Sequence, residues 1–242
     1  MAINLRDRGI RVVLLDVEGT TTPMAFVYDV LFPYARERLP AYLRAHASED
    51  ALRDVLATLR VEWQEDARTE QKPPDWSLAD VPAAARYLAW LMDRDRKSPS
   101  LKRIQGEIWQ AGFRSGELHG EVFPDVAPAF ARWTDSGVTI AIYSSGSVLA
   151  QRLIFEDLAS FISAYFDTAV GPKRSPESYR RIAKELGQPP ERMLFVSDVP
   201  EELNAALDAG MQILLAVRPG NREIEGPDSI DEITSFDEIT SG

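Results

Sequence analysis

Four apolar residues, Val12 to Leu15, run uninterrupted into Asp16, and comparable short runs return at Val138–Tyr143, around Tyr165 and Phe166 within 164–170, at Met193–Val196 and at Gln212–Val217. Continuous Val/Leu/Ile runs of this length fit strands buried on both faces, as in a parallel sheet covered by helices. Helical patterns separate the later runs: Val126–Ser136, Val148–Leu158, a segment opened by Gly171–Tyr179 and continuing through Leu186, and Pro200–Ala209 with Gly210 in a C-cap position. Strands alternating with helices predict an α/β fold with a doubly wound, mainly parallel sheet. The tail from Pro219 is polar, with a short strand or turn expected near Ile230–Phe236.

The region after the first strand follows a different rhythm. Met24–Ala45 reads as helix, with Phe26, Val30, Leu31, Tyr34, Leu39 and Leu43 near a 3.6-residue period and with Pro33 and Pro40 as kink points. Ser48 is the expected N-cap of a second helix carrying Leu52, Val55, Leu56 and Leu59. Residues 69–80 form a polar connection, and two more helices are expected at Pro82–Asp95 and Ser100–Ala111, before Gly112, Gly116 and Gly120. About a hundred residues of helix is far more than a crossover between neighbouring strands requires. An inserted helical domain follows, with Trp63, Trp76, Trp90 and Trp109 expected chiefly in its core.

Composition narrows the function classes. Acidic residues outnumber basic ones 38 to 27, for a formal net charge of −11, which argues against general nucleic-acid binding. Cysteine is absent and only His46 and His119 are histidines, so disulfide scaffolds and Cys- or His-based zinc sites are excluded. Neither a secretory signal nor a membrane-spanning run is visible, so a cytoplasmic protein is expected.

The strand ends carry the chemistry. The first ends in Asp16, Val17, Glu18, Gly19 and three threonines; the Val138 strand ends in Ser144, Ser145, Gly146, Ser147; the Met193 strand ends in Ser197 and Asp198. Parallel strands bring these ends to one edge of the sheet, where ligands bind in open α/β folds. Lys173, in the loop before a helix, can reach the same edge. Asp16 and Asp198 are candidate ligands for Mg²⁺, a hard cation that prefers oxygen. Ser144, Ser145 and the N–H groups opening the next helix suit a phosphate, with Lys173 adding charge. Asp16 is the candidate nucleophile, attacking phosphorus to give an aspartyl-phosphate. Each piece also has an ordinary role: Ser144–Ser147 as a capped turn, Lys173 as a loop lysine, Asp198 as a helix cap before Pro200. Glu201 and Glu202 suit the first turn of a helix, with a supporting role at the site open to one of them.

The order D-x-E-G-T, S-S-G-S, loop lysine, S-D resembles the four motifs of the haloacid dehalogenase superfamily of phosphohydrolases, and the helical insertion resembles its cap domain. That resemblance implies a Rossmann-like core over 1–22 and 121–242 and an all-helical cap over 23–120. Most phosphatases of the group carry Asp two residues after the nucleophile; here the residue is Glu18. L-L-D-V-E-G-T-T-T-P-M-A-F-V, E-V-F-P-D-V at 121–126, Y-S-S-G-S-V at 143–148, S-Y-R-R-I-A at 178–183 and V-R-P-G-N at 217–221 are similar to the enolase-phosphatases (acireductone synthases) of methionine salvage. The resemblance implies a monomeric phosphoric monoester hydrolase with one Mg²⁺ per subunit. It would enolise and dephosphorylate 2,3-diketo-5-methylthiopentyl-1-phosphate to 1,2-dihydroxy-3-keto-5-methylthiopentene. It further implies Asp16, Asp198 and the Glu18 backbone carbonyl as metal ligands, and Ser144, Ser145 and Lys173 as phosphate and substrate contacts. Glu18 is expected to transfer a proton, and Phe26 and Trp109 are candidates for holding the methylthio tail. The alternatives are another capped phosphatase acting on a small phosphate monoester and, from a different class, a non-catalytic phosphometabolite-binding protein.

Overall fold

A computed structural model describes residues 3–76, 81–94, 96, 98–221 and 230–242. The chain forms two compact units, Met1–Val27 with His119–Gly242, and Tyr28–Leu118.

In the first unit, β1 (Ile3–Asn4) precedes β2 (Val12–Leu15), the wholly buried run that ends at Asp16. In the second, a π-helical turn, Phe26–Leu31, begins in the first unit and leads into α1 (Phe32–Ala45), followed by α2 (Asp50–Asp66), α3 (Val81–Met92) and α4 (Pro99–Ser115). The chain is helical from Met24 to Ala45 as expected, with a π-helical stretch ahead of α1, and Pro33 occupies the first turn of α1, where its missing N–H leaves no bond unmade. Ser48 is not a cap: Glu49 takes that position and its side chain makes no capping bond. Ser98 does cap α4, its Oγ accepting from Leu101 N, and Gly116 closes that helix in the left-handed conformation. Residues 77–80 of the expected connection and Asp95 at the expected end of α3 lie outside the described residues. α1 packs on α3 and α4, and α2 on α4. Trp63, Trp76, Tyr87 and Trp90 form a chain of ring contacts inside this unit.

The chain resumes the first unit with α5 (Val126–Asp135), β3 (Thr139–Tyr143), α6 (Val148–Ile154), β4 (Ile162–Phe166), α7 (Pro176–Glu185), β5 (Met193–Ser197), α8 (Pro200–Asp208), β6 (Gln212–Ala216), β7 (Glu232–Ile233) and β8 (Ile239–Thr240). The helix expected at 148–158 ends at Ile154 and gives way to a 3-10 turn, Glu156–Phe161, so β4 begins two residues before the expected segment and ends four before its end. Six strands form one all-parallel sheet in the order β4-β3-β2-β5-β6-β7, and β1 pairs with β8 separately.

This order makes β2 the switch point: the chain builds outward through β3 and β4 on one side, then crosses to β5 and β6 on the other. A crevice opens at the carboxyl end of such a strand. Val12, Leu14, Tyr143 and Phe195 pack with Tyr179 and Ile182 of α7 and Leu203 of α8. Phe130 and Trp133 of α5 join Phe155 and Phe236 in a second set of ring contacts. Apolar burial on both faces explains why the strands read as continuous rather than alternating runs.

Candidate active site

Register brings the expected residues together. Leu15 pairs with Ile142 on one side and Val196 on the other, so Asp16 is level with Tyr143 and Ser197. Ser144 and Asp198 each lie one residue further on. Asp16 is 4% exposed. Its Oδ1 accepts from Val17 N at 2.7 Å and lies 2.6 Å from Lys173 Nζ; its Oδ2 accepts from Ser197 Oγ at 3.0 Å.

Lys173 is itself buried, and its ammonium also reaches Glu202 Oε2 at 2.5 Å. The loop that carries it is held from below: Tyr179 OH donates to Lys173 O, Ser178 Oγ to Pro172 O and Tyr143 OH to Gly171 O. Burial alone would lower the lysine's pKa, but the charges of Asp16 and Glu202 outweigh it and raise the net value. Lys173 is thus a fixed positive charge between two carboxylates and not a solvated loop side chain. Burial, then the charge of Asp16, pushes the Glu202 carboxyl upward, with Lys173 opposing.

Asp198 is held against the backbone at Gly19. That glycine has φ +71°, and a Cβ placed on it would lie 2.3 Å from Asp198 Oδ2. Gly19 is required twice, by its left-handed backbone and by this close approach. Asp198 is not the N-cap of α8; Val199 is, without a side-chain bond. Burial first, and the charge of Asp16 second, push its carboxyl up to about 7. Among the described residues no three Asp, Glu, His or Cys side chains cluster to hold a metal, so a cation here would draw on the two aspartates and backbone oxygens.

The Ser144–Ser147 loop closes the other side. Ser144 Oγ accepts from Gly146 N at 3.0 Å, Ser147 Oγ caps α6 through Ala150 N, and Ser145 is half-buried. Gln151, wholly buried in α6, donates from Nε2 to Gly146 O and Phe166 O, tying this loop to the end of β4. Glu18 is half-buried and bridges to Thr22 in the turn after β2. Phe26 and Trp109 are both buried, and Trp109 Nε1 donates to Leu31 O at 2.7 Å, so its indole serves packing within the helical unit.

Sequence reasoning left Glu201 and Glu202 open together, and the fold selects Glu202 by bringing Lys173 to 2.5 Å from it. Gln151 carried no sequence signal of its own, and Arg218 and Asn221 only that of their segment, V-R-P-G-N at 217–221, since each acts by holding a carbonyl that only the folded loops supply.

A buried Asp–Lys–Glu cluster with a second Asp, at the switch point of a parallel sheet, defines a hydrolase of the haloacid dehalogenase class. The family model "haloacid dehalogenase-like hydrolase" matches residues 10–210. The chain belongs to that family, and within it to the enolase-phosphatase E1 family. It is 49% identical over 235 residues to the enolase-phosphatase E1 of Synechococcus elongatus, covering 95% of this chain and 98% of that one. It is 47% identical over 224 residues to the enolase-phosphatase E1 of Drosophila mojavensis, covering 90% and 89%. Among solved structures, the UTR4 protein of Saccharomyces cerevisiae superposes with a TM-score of 0.76 at 30% identity, covering 94% of this chain and 99% of that chain. A 2-haloacid dehalogenase from Pseudomonas syringae shares the fold at 17% identity and a TM-score of 0.59, covering 95% and 96%.

Proposed function

We propose that this enzyme enolises 2,3-diketo-5-methylthiopentyl-1-phosphate and then removes its phosphate, with Asp16 as nucleophile, in the cytoplasm. The observation that carries the reading is the buried set Asp16–Lys173–Glu202 with Asp198 beside Gly19. Asp16 attacks phosphorus in line, the bond from phosphorus to the substrate oxygen breaks, and water then hydrolyses the aspartyl-phosphate. Lys173 holds the nucleophile by one oxygen and stabilises charge on the phosphoryl oxygens. Ser144, Ser145 and the N-terminus of α6 receive the phosphate. Glu18 moves the proton; its extra methylene shifts the carboxylate by about 1.5 Å relative to Asp, which changes what it reaches.

Asp16, Asp198 and the Glu18 carbonyl would hold one Mg²⁺. The fit rests on donor chemistry: all are hard oxygens, and Asp198 is crowded by burial and by the charge of Asp16. When bound, the ion supplies positive charge that polarises the dicarbonyl and the phosphate. In this reading the helical unit, residues 28–118, serves as the cap domain.

Steady-state turnover of the diketo phosphate tests the reading, with Mg²⁺ present and after chelation. Expected are Mg²⁺-dependent phosphate release, a near-ultraviolet enol product, and loss of phosphate release in Asp16→Asn. Turnover of simple monoesters without the diketo phosphate, or activity retained in Asp16→Asn, would overturn it.

A further inference from the structure

The turn after β6 reaches back to the segment that follows the nucleophile. Asn221 Nδ2 donates to Gly19 O at 2.8 Å, and Arg218 Nε donates to Thr20 O at 3.0 Å. Two successive carbonyls are thus held by two residues of one short turn, itself closed by Asn221 N donating to Arg218 O. Gly19 N donates to Thr22 O at 2.8 Å. Both peptide groups flanking Gly19 are therefore fixed, although glycine is the residue least able to hold its own conformation.

Arg218 is anchored in turn. Its guanidinium lies between the Phe123 and Phe236 rings, at 4.8 and 4.4 Å from their centroids, and Nη1 reaches Asp125 Oδ2 at 2.7 Å and Thr234 O at 2.9 Å. A buried arginine is expensive unless its charge is met. Here Asp125 meets it, and Asp125 is fixed by Ser235 Oγ and Phe236 N.

We propose that Asn221 and Arg218 are positioning residues that set the reach of Glu18, by clamping the Gly19 and Thr20 carbonyls immediately after it. The proposal rests on the reading of Glu18 as the proton-transfer group. A misplacement of 1 Å at such a group costs about a hundredfold in rate, so a clamp on the adjacent peptides acts on kcat more than on substrate affinity.

The test is a double-mutant cycle of Asn221→Ala and Glu18→Gln on the diketo phosphate with saturating Mg²⁺, with melting temperatures measured in parallel. Asn221 is neutral and half-buried, so its truncation leaves the fold standing; Arg218→Lys, which keeps the charge for Asp125, is the second variant. Expected in Asn221→Ala is a kcat loss of roughly tenfold to a hundredfold with KM nearly unchanged, and little further loss when it is added to Glu18→Gln. Wild-type kcat in Asn221→Ala, fully additive losses, or a loss that tracks the melting temperature would overturn the proposal. Failure of the underlying reading shows separately, as wild-type turnover in Glu18→Gln alone.

Discussion

Lys173 Nζ lies 2.6 Å from Asp16 Oδ1, and both side chains are sealed from solvent. A carboxylate at the end of a buried strand needs a countercharge, and the same lysine answers Glu202 at 2.5 Å. Lys173→Met therefore leaves two carboxylates buried without their cation. Breaking a buried pair in this way destabilises by about 3–5 kcal/mol. Urea denaturation should show a loss of that order, and phosphate release should disappear. A stability within error of wild type would contradict this account of the cluster.

Gly19→Ala should separate the backbone from the charge. The left-handed φ disfavours alanine by about 1–2 kcal/mol, and the new Cβ would collide with Asp198 Oδ2, 2.3 Å away. Asp198 must move, so Mg²⁺ affinity measured by calorimetry should fall even where the protein remains folded. Unchanged Mg²⁺ binding would place Asp198 outside the cation site.

Gln151→Met keeps the volume of the side chain but removes the donor shared by Gly146 O and Phe166 O. Phe166 O keeps the Ser144 N–H, but Gly146 O loses its side-chain partner, and leaving such an acceptor unmet costs about 1–3 kcal/mol. The Ser144–Ser147 loop should loosen, raising KM for the phosphorylated substrate more than it lowers kcat. Steady-state kinetics check this, and a pure kcat effect would count against a phosphate-binding role for the loop.

Asp125 sets an acid limit on stability. Burial pushes its carboxyl up, but Arg218, the Phe236 N–H and Ser235 together hold it below the ordinary 3.8. Stabilisation from this carboxylate is complete above that value and fades as pH falls through the lower folded pKa. Asp125→Asn should thus be less stable than wild type at neutral pH, and the gap should close below about pH 3.8. Melting curves across that range decide it; a gap independent of pH would show that the charge is not what stabilises.

Much of this was legible along the chain. The buried parallel strands announced themselves as uninterrupted apolar runs, because both faces of the sheet are covered. Asp16, Ser144 and Asp198 could be assigned to one edge, because parallel strands share a polarity and each run stops at a polar residue. The helical segment between Met24 and Ser115 was evident from its period, with the start of α2 placed one residue early at Ser48, while the π-helical stretch Phe26–Leu31 left no mark in the pattern.

Only the tertiary structure decided who pairs with whom. Lys173 was assigned to that edge by its loop position, but only folding placed it between Asp16 and Glu202, partners 157 and 29 residues away. Arg218 and Asn221 became holders of Gly19 and Thr20 across about two hundred residues of chain. Sequence pattern reports periodicity and the polarity of strand ends, which are local. The pairing of buried charges and carbonyls depends on strand order and register, which fix which distant groups are left facing one another without water.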